Sequence, residues 1–582
     1  MSTPKKISIN QFNQYKSAVK IIFAGIIFLI LPLIASADTL GQTVKFNIDP
    51  SYDSLGRSEI LATLRIDTLK LYFYIDDDWW KLLDYQKKQE TESFLRALDT
   101  EFYSKIYPTL TSNFGSEWKP GIDKDEKITA LIHQMKKEAG GYFNSGDEYS
   151  KLENPKSNER EMVYLNSQYI DKPEAKSFLA HEFVHLITIN QKDLLRNVSE
   201  ETWLNEARAE YAPTLLGYDE IYKGSNLERR VKAFLEKPSD SLTEWLNKPE
   251  DYGVVNLFIQ YLVDHYGLKI LVDSLHSSKV GIPSINEALM KNGYSEDFSQ
   301  IFADWTITVL INNCDFGERY CYLNNNLKDF KITPTLYYLP LKTESILSTF
   351  HNTTNWSANW HRFVGGGSNL TLEFDGADSV EFEIPYLLCD LKNDCSVEFL
   401  ILDKEQNGKI TISGFNTKYS SLTIIPFEKS KISGFNGPES YFTFSWKVSV
   451  QETSPEEETE LIKQLLAQID QLKKQIAELQ AKINAILASR GQTSCGKFEI
   501  DLYFEMMNSQ EVRCLQEFLK NQGPEIYPEG LITGNFLNLT QSAVIRFQEK
   551  YANEILTPIG LEKGTGFVGE KTRSKINQIL GF

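Results

Sequence analysis

Two histidines four residues apart, with a glutamate between them, constrain this chain more than any other feature. The segment HEFVH runs from His181 to His185, and most of its neighbours are apolar. In a helix, positions i and i+4 lie on the same face, so both imidazoles can bind one Zn²⁺ ion while Glu182 lies beside it. The alternative is an ordinary core helix with two satisfied histidines, but it leaves the acidic segment that follows without a purpose.

That second segment, WLNEARAEY, supplies an acidic third ligand. Glu206 follows His185 by 21 residues, enough chain for one helix to end and a second to return. Three protein ligands and one open position are typical of a catalytic zinc site, whereas a structural site is closed by a fourth ligand. We therefore predict that His181, His185 and Glu206 bind Zn²⁺.

The two segments resemble the gluzincin metallopeptidases, whose pattern is HExxH followed by a helix with N-E-x-x-x-D/E. The resemblance implies that His181, His185 and Glu206 hold zinc and that Glu182 is the general base for a zinc-activated water. It also implies that Glu210 orients a ligand histidine. The segments IDKDEKITALIH, GGYFNSGDEY and NEREMVYLN are similar to hyicolysin-type secreted peptidases in particular, and the likeness covers roughly residues 60–270.

The residue that would stabilise the oxyanion stays open. Tyr252, in PEDYGVVNLFIQYL, is the candidate because a downstream tyrosine has this role in related families; Tyr211 and His265 are rivals. A core or helix-cap role for Tyr252 is the simpler reading, so it is not among the predicted catalytic residues.

Local patterns predict the elements around the metal helix. Asp171-Lys172-Pro173-Glu174 is typical of a helix start, with Asp171 able to cap free N–H groups. Residues 162–166 predict a strand that either borders the cleft and pairs with an extended peptide or lies in the core. Residues 76–80 (DDDWW) predict a turn with a buried aromatic pair. Asp123-Lys124-Asp125 opens like a calcium loop, but the central Gly and the last Glu of that motif are missing, so a solvated turn is preferred.

The amino terminus and the cysteines predict export. Residues 1–37 combine four lysines, an apolar run from Ile21 to Ile34 and the sequence Ala35-Ser36-Ala37, which is typical of a signal peptide cut before Asp38. An uncleaved anchor is the alternative. Six cysteines fall in three close pairs, 314 with 321, 389 with 395 and 495 with 514, and predict disulfides formed in an oxidising compartment. The predicted location is therefore secreted or associated with the bacterial cell wall.

Length and pattern predict an α+β multidomain chain. With 582 residues and 41% hydrophobic content, the chain exceeds what one core serves. Its net charge of −18 argues against nucleic acid as a partner. We predict a zincin-like catalytic domain over 38–340, then a β-sandwich-like module over 341–450, where short strands alternate in polarity and a spacer role is preferred.

A coiled coil is predicted over 451–492. Ile and Leu alternate at spacings of three and four from Ile462 to Ile486, and Ile at a with Leu at d favours a parallel two-stranded coil. The predicted partner is a second copy of the chain, bound in parallel through residues 455–490. Packing against a neighbouring domain is the alternative.

Residues 493–582 resemble the small helical peptidoglycan-binding domains of bacterial wall enzymes. The matching segments are EVRCLQEFL from Glu511, YPEGLITG from Tyr527, LTQSAVIRFQ from Leu539 and GFVGEKTR from Gly566. The chain departs from the family at Leu537, where Gly usually follows the aromatic residue, and this change puts the turn before Thr540 in doubt.

Together these features predict an exported bacterial zinc endopeptidase that cuts proteins or peptides and is targeted to the wall by its C-terminal domain. A dimeric wall-binding surface protein with an inert peptidase centre is the alternative. Cleavage of peptidoglycan stem peptides is a third reading that rests on the C-terminal domain alone.

Overall fold

The computed structural model describes residues 37–339, 345–450, 463, 466–476, 478, 479, 482 and 495–582. They belong to two compact units, one ending at Glu452 and one starting at Thr453. The predicted signal peptide, apart from Ala37, lies outside the described residues, as does most of the predicted coiled coil. Residues 466–476 are helical. Within the described ranges, no helix has the length and apolar character needed to cross a membrane.

The first unit begins with a mixed sheet of six strands. Their spatial order is β1-β2-β3-β4-β6-β5; β3, β4 and β6 are parallel, and the other pairs are antiparallel. The strands are β1 Thr43–Asn47, β2 Glu59–Asp67, β3 Leu71–Asp76, β4 Ile128–His133, β5 Gly141–Tyr142 and β6 Met162–Asn166.

Helices cover this sheet and extend beyond it. A π-helical turn at Phe102–Ile106 joins the second helix to the third, and a similar turn at Asn190–Leu194 follows the helix that carries His181 and His185. The helices are α1 Asp77–Leu82, α2 Tyr85–Glu101, α3 Tyr107–Phe114, α4 Ala175–Ile189, α5 Thr202–Leu215, α6 Asn226–Glu236, α7 Pro249–Tyr266, α8 Leu268–Leu275, α9 Gly281–Lys291 and α10 Phe298–Ile311.

The strand predicted over residues 162–166 is β6, and it lies inside the sheet. All five of its residues are buried, and the strand pairs with β4 on one side and with β5 on the other. The core reading is therefore right, and the cleft-bordering reading is wrong for this strand. The edge is formed instead by the two residues Gly141 and Tyr142 of β5.

Two further local predictions need correction. Asp171 does not cap α4; the helix begins at Ala175, and turns of the backbone lead into it without a side-chain cap. Residues 77–82 form the helix α1, whose start is capped by Asp76, where a turn was predicted. Trp80 is buried in that helix, but Trp79 is only half-buried.

The alternating strands after residue 334 form two sheets that share a core. One has the order β14-β10-β17-β8 and the other β13-β12-β15-β9-β7, with a short pair β11-β16 beside them. The strands are β7 Thr335–Leu339, β8 Ser345–Thr353, β9 His361–Gly365, β10 Asn369–Gly376, β11 Phe382–Glu383, β12 Pro385–Asp390, β13 Cys395–Phe399, β14 Asn407–Ser413, β15 Tyr419–Ile424, β16 Phe427–Glu428 and β17 Phe442–Val450. The chain is thus a mixed α and β protein with several sheets.

All three predicted disulfides are present, and they fit a secreted protein. Cys314 bonds Cys321 after α10, Cys389 bonds Cys395 across the hairpin of β12 and β13, and Cys495 bonds Cys514 in the second unit. Among the described residues, no cysteine is free.

The second unit has its own core and is built on a repeat of 32 residues. Its helices are α11 Gln510–Asn521, α12 Asn538–Lys550, α13 Ala552–Ile555 and α14 Glu570–Leu580. The buried amide of Gln516 bonds the N–H groups of Thr533 and Gly534 and the hydroxyl of Thr540. Gln548 repeats these bonds with Thr565, Gly566 and Thr572, each 32 positions later.

This repeat explains how the chain accommodates Leu537. Leu537 has φ −112° and ψ −173°, and its counterpart Gly569 has nearly the same extended backbone, φ −83° and ψ −171°. Neither position requires the left-handed region that favours glycine. The turn before Thr540 is therefore intact, and Thr540 keeps its bond to Gln516 at 2.9 Å.

Candidate metal centre

Two packed helices bring the predicted ligands together. Helix α4 is buried over most of its length, so packing against the sheet and α5 fixes which of its faces presents His181 and His185. Helix α5 returns alongside and carries Glu206. One ligand atom from each of the three residues lies within 4.8 Å of the others, as binding to one ion requires.

In each histidine, one ring nitrogen faces Glu206 and the other contacts a different residue of α5. His181 Nε2 lies 3.2 Å and His185 Nε2 3.7 Å from the same oxygen, Oε2 of Glu206. This oxygen is buried, and the His181 imidazole lies within ion-pair distance of it. Both Nε2 atoms and the carboxylate oxygen therefore point to one place, which is what three ligands of a tetrahedral ion must do.

The opposite ring nitrogens are held by α5. His181 Nδ1 lies 3.3 Å from Oε1 of Glu210, and His185 Nδ1 lies 3.0 Å from Oδ1 of Asn205. Bonds of this kind fix the tautomer and orientation of a ligand histidine. Glu210 and Asn205, both on α5, therefore each contact one of the two histidines.

Glu210 is itself fixed by α6, in a way the sequence did not indicate. The guanidinium of Arg230 donates through Nε at 2.8 Å, and Asn226 donates through Nδ2 at 2.9 Å. Glu210 and Arg230 thus form a buried charge pair behind His181. Although burial opposes it, Arg230 keeps the pKa of Glu210 well below its usual range, so Glu210 stays ionised.

The electrostatics of the centre suit a bound cation. Burial raises the pKa of Glu182 to about 8, and it lowers the pKa of His185, which favours the neutral imidazole that a metal needs. Burial also opposes a charge on His181, but the carboxylates of Glu206 and Glu210 raise its pKa to about 10. The surrounding carboxylates therefore favour positive charge at the ligand positions, and the donor set of two imidazoles and a carboxylate fits Zn²⁺.

Strand β5 passes directly beside Glu182. A Cβ atom added to Gly141 would lie 3.1 Å from Oε1 of Glu182, so the close approach depends on glycine. The next residue but one, Phe143, stacks on His185 with ring centroids 5.9 Å apart. The segment after β5 therefore forms one wall of the centre.

Tyr252 lies near the centre, but its rivals do not. The charge of Glu206 acts on Tyr252, the Arg230 guanidinium lies 4.4 Å above its ring, and its hydroxyl donates to Asn247 Oδ1 at 3.0 Å. By contrast, His265 Nε2 contacts the carbonyl of Cys321 at 2.8 Å, and the charge acting on the hydroxyl of Tyr211 is that of Asp264.

The sequence does not identify a second tyrosine near the centre, Tyr52, which lies close to the start of the domain. Asn247 Nδ2 donates to the hydroxyl of Tyr52 at 3.3 Å, so Asn247 links Tyr52 to Tyr252. Tyr52 also stacks on Tyr142 of β5. Burial, together with the charges of Glu182 and Glu206, raises the pKa of its hydroxyl. Nearly 200 residues separate Tyr52 from Asn247, and no local pattern marks either residue.

Comparison with known proteins adds little. No protein-family model and no curated protein matches the chain. The pre-peptidase C-terminal domain of a collagenase from Bacillus anthracis is 5% identical, with a TM-score of 0.14, over 20% of this chain and 96% of that one. A surface-associated copper-binding protein of Methylomicrobium album BG8 is 12% identical, with a TM-score of 0.13, over 20% and 98%. A family GH115 4-O-methyl-alpha-glucuronidase is 9% identical, with a TM-score of 0.13, over 58% and 54%. Likeness this slight carries no argument about function.

Proposed function

We propose that this chain is an exported zinc-dependent endopeptidase of the gluzincin type, with a zincin-like catalytic domain. The observation that carries the proposal is the convergence of His181 Nε2 and His185 Nε2 on one buried oxygen of Glu206, at 3.2 and 3.7 Å, while Glu210 and Asn205 contact the opposite ring nitrogens. A pair of core histidines has no need to direct both Nε2 atoms toward the same carboxylate oxygen.

The chemistry follows from the groups around that point. Zinc held by His181, His185 and Glu206 would lower the pKa of water and polarise the scissile carbonyl. Glu182 accepts the proton of the attacking water and passes it to the leaving amine. Tyr252 is the candidate donor to the oxyanion.

Strand β5 favours an extended peptide as substrate. It is the edge of the sheet beside Glu182, and an edge strand offers backbone groups with which a peptide can pair. Stem peptides of peptidoglycan, which are branched and contain D-residues, fit such an edge poorly.

Glu182→Gln tests catalysis against the alternative of an inert centre. We expect the variant to lose cleavage of a generic unfolded protein while it binds one equivalent of zinc, because an amide keeps the volume of the side chain but cannot act as a base. Glu236→Gln, on the exposed end of α6, is the matched control and should cleave like the wild type. Equal cleavage by Glu182→Gln, or wild-type protein without zinc or activity, would contradict the proposal.

We propose that the second unit anchors the enzyme to peptidoglycan and that residues 455–490 pair two chains in parallel. The second unit has its own core, and the repeated bonds of Gln516 and Gln548 lie within it. These features support a domain that folds independently. In the described part of the coil, Ile469, Leu472 and Ile476 are exposed, as expected of a stripe that awaits a partner. Residues 493–582 should sediment with purified sacculi, and the secreted chain should sediment as a dimer. A soluble fragment or a monomeric mass would refute the respective statement.

A further inference from the structure

A second group of buried carboxylates lies outside the metal centre. Glu148 is 2% exposed, and neither of its carboxylate oxygens has a hydrogen-bond donor. Glu161 is also 2% exposed, and its Oε2 lacks a donor. The two carboxyl groups interact directly with each other. Two buried carboxylates in contact cannot both be ionised unless a positive charge joins them.

Three separate segments build this group. Glu148 ends a short helical turn, Ser145–Glu148, and Glu161 precedes β6. The third segment wraps around Glu161: Ile122 donates its N–H to Oε1 at 2.8 Å, and a Cβ on Gly121 would lie 1.7 Å from Oε2. Gly121 has φ +82°, a backbone conformation that favours glycine, and a side chain here would also clash with Glu161. This is a shaped site rather than a patch of surface acids.

The charge around the group is not balanced by the chain. Asp123 and Asp147 add further negative charge close to Glu148. Asp147 is satisfied by the hydroxyl of Tyr164 at 2.6 Å and the N–H of Asn158 at 2.7 Å. Arg160, the residue before Glu161, forms its ion pair with Asp38. Among the described residues, no lysine or arginine forms an ion pair with Glu148 or Glu161.

We propose that Glu148 and Glu161 bind a Ca²⁺ ion. Their oxygens are the direct ligands, Asp123 and Asp147 strengthen the negative potential, and water and backbone carbonyls complete the shell. Hard oxygen ligands without nitrogen or sulfur suit Ca²⁺, and its flexible coordination of six to eight oxygens tolerates two carboxylates from different loops, whereas Mg²⁺ demands near-ideal octahedral geometry. Asp123 also borders a surface cleft of about 450 Å³.

The ion would fix the wall of the metal centre. Only five residues separate Glu148 from Tyr142 of β5, and Phe143, which stacks on His185, lies between them. Ca²⁺ bound at Glu148 therefore restrains the same segment that passes beside Glu182. The calcium site does not depend on the proposed peptidase activity, and its test uses binding and stability.

The test uses the secreted, zinc-loaded protein with Tb³⁺ and Ca²⁺ as probes. We expect Tb³⁺ to give luminescence sensitised by nearby tyrosines such as Tyr164, and Ca²⁺ to displace it. We also expect Ca²⁺ at about 100 times its Kd to raise Tm by about 3 to 4 °C. Glu148→Gln should abolish both responses. Glu126→Gln, an exposed acid in the turn beside Asp123, is the matched control and should keep both.

Glu148→Gln keeps the volume of the side chain and removes repulsion, so it should fold with a Ca²⁺-free Tm at or above that of the wild type. If this variant proves unstable, Glu161→Gln gives the same test from the other ligand. A wild-type protein whose Tm does not respond to Ca²⁺ would overturn the proposal and assign a shared proton to the pair. Full retention of the Ca²⁺ response in both variants would also overturn it.

Discussion

Replacing Glu210 by glutamine tests whether this buried carboxylate orients the His181 ring as well as neutralising Arg230. In the wild type it accepts from Arg230 and Asn226 and lies 3.3 Å from Nδ1 of His181. The Glu210→Gln change would keep the shape but remove the charge that holds the His181 ring and balances Arg230. Loss of a group that orients a ligand histidine typically weakens metal binding by about 10- to 100-fold, or about 1.4 to 2.8 kcal/mol.

The same substitution also leaves Arg230 buried without its partner. Breaking a buried ion pair costs about 3 to 5 kcal/mol of stability. The two effects can be separated by a second change: Glu210→Gln with Arg230→Gln removes both charges and should regain most of the stability. It should not regain zinc affinity, because His181 still lacks its carboxylate partner.

Zinc affinity is measured by competition with a chromophoric chelator, and stability by urea unfolding in zinc-free buffer. We expect the single variant to lose both quantities and the double variant to lose mainly zinc affinity. Zinc affinity within about threefold of wild type in both variants would refute the reasoning, since Glu210 would then only neutralise Arg230.

Three further predictions address other parts of the chain. Tyr252→Phe should lower kcat by about 100-fold with KM and zinc content unchanged if its hydroxyl serves the oxyanion; unchanged kcat would leave that hydroxyl only its bond to Asn247. In Ca²⁺-free buffer, the free energy of unfolding should fall as pH rises above 4.5. Burial and mutual repulsion raise the pKa of Glu148 and Glu161 in the folded state, so folding favours their protonated forms. Equal stability at pH 5 and pH 8 in urea unfolding would contradict this. Leu537→Gly should change the stability of the second unit by less than about 1 kcal/mol, since the backbone is extended at that position; a larger loss in thermal unfolding would contradict it.

The sequence predicts the centre of the metal site because local geometry decides it. An HExxH segment in a helix can place His181 and His185 only on one face, and the neighbouring apolar residues place that helix in a core. The bounds of strand β6 agree with the predicted residues 162–166 for a similar reason: the strand is a short apolar run, and all of its residues are buried.

The sequence does not predict which residues from distant segments lie beside the candidate metal ligands. Arg230 and Tyr52 reach the centre from α6 and from the chain before β2, and each reads locally as an ordinary polar or aromatic residue. Strand β5 has two residues, too few to show a period of two, so the neighbouring β6 was considered for the edge. Glu148 and Glu161 lie in polar loop sequence, where burial of an acid leaves no local signature.

The β-rich module illustrates the same limit on a larger scale, because alternation identifies its strands but not what it supports. Its Gly434 donates an N–H to Glu201, directly before α5, at 2.6 Å, and Trp203 in the first turn of that helix donates to the other oxygen of Glu201 at 2.8 Å. Trp356 of the module is buried in the same apolar core as α10. The start of the helix that carries Glu206 is therefore held from the module's side as well as from α4. A spacer would need no such contacts, so the module is better understood as a support for the helix that positions Glu206.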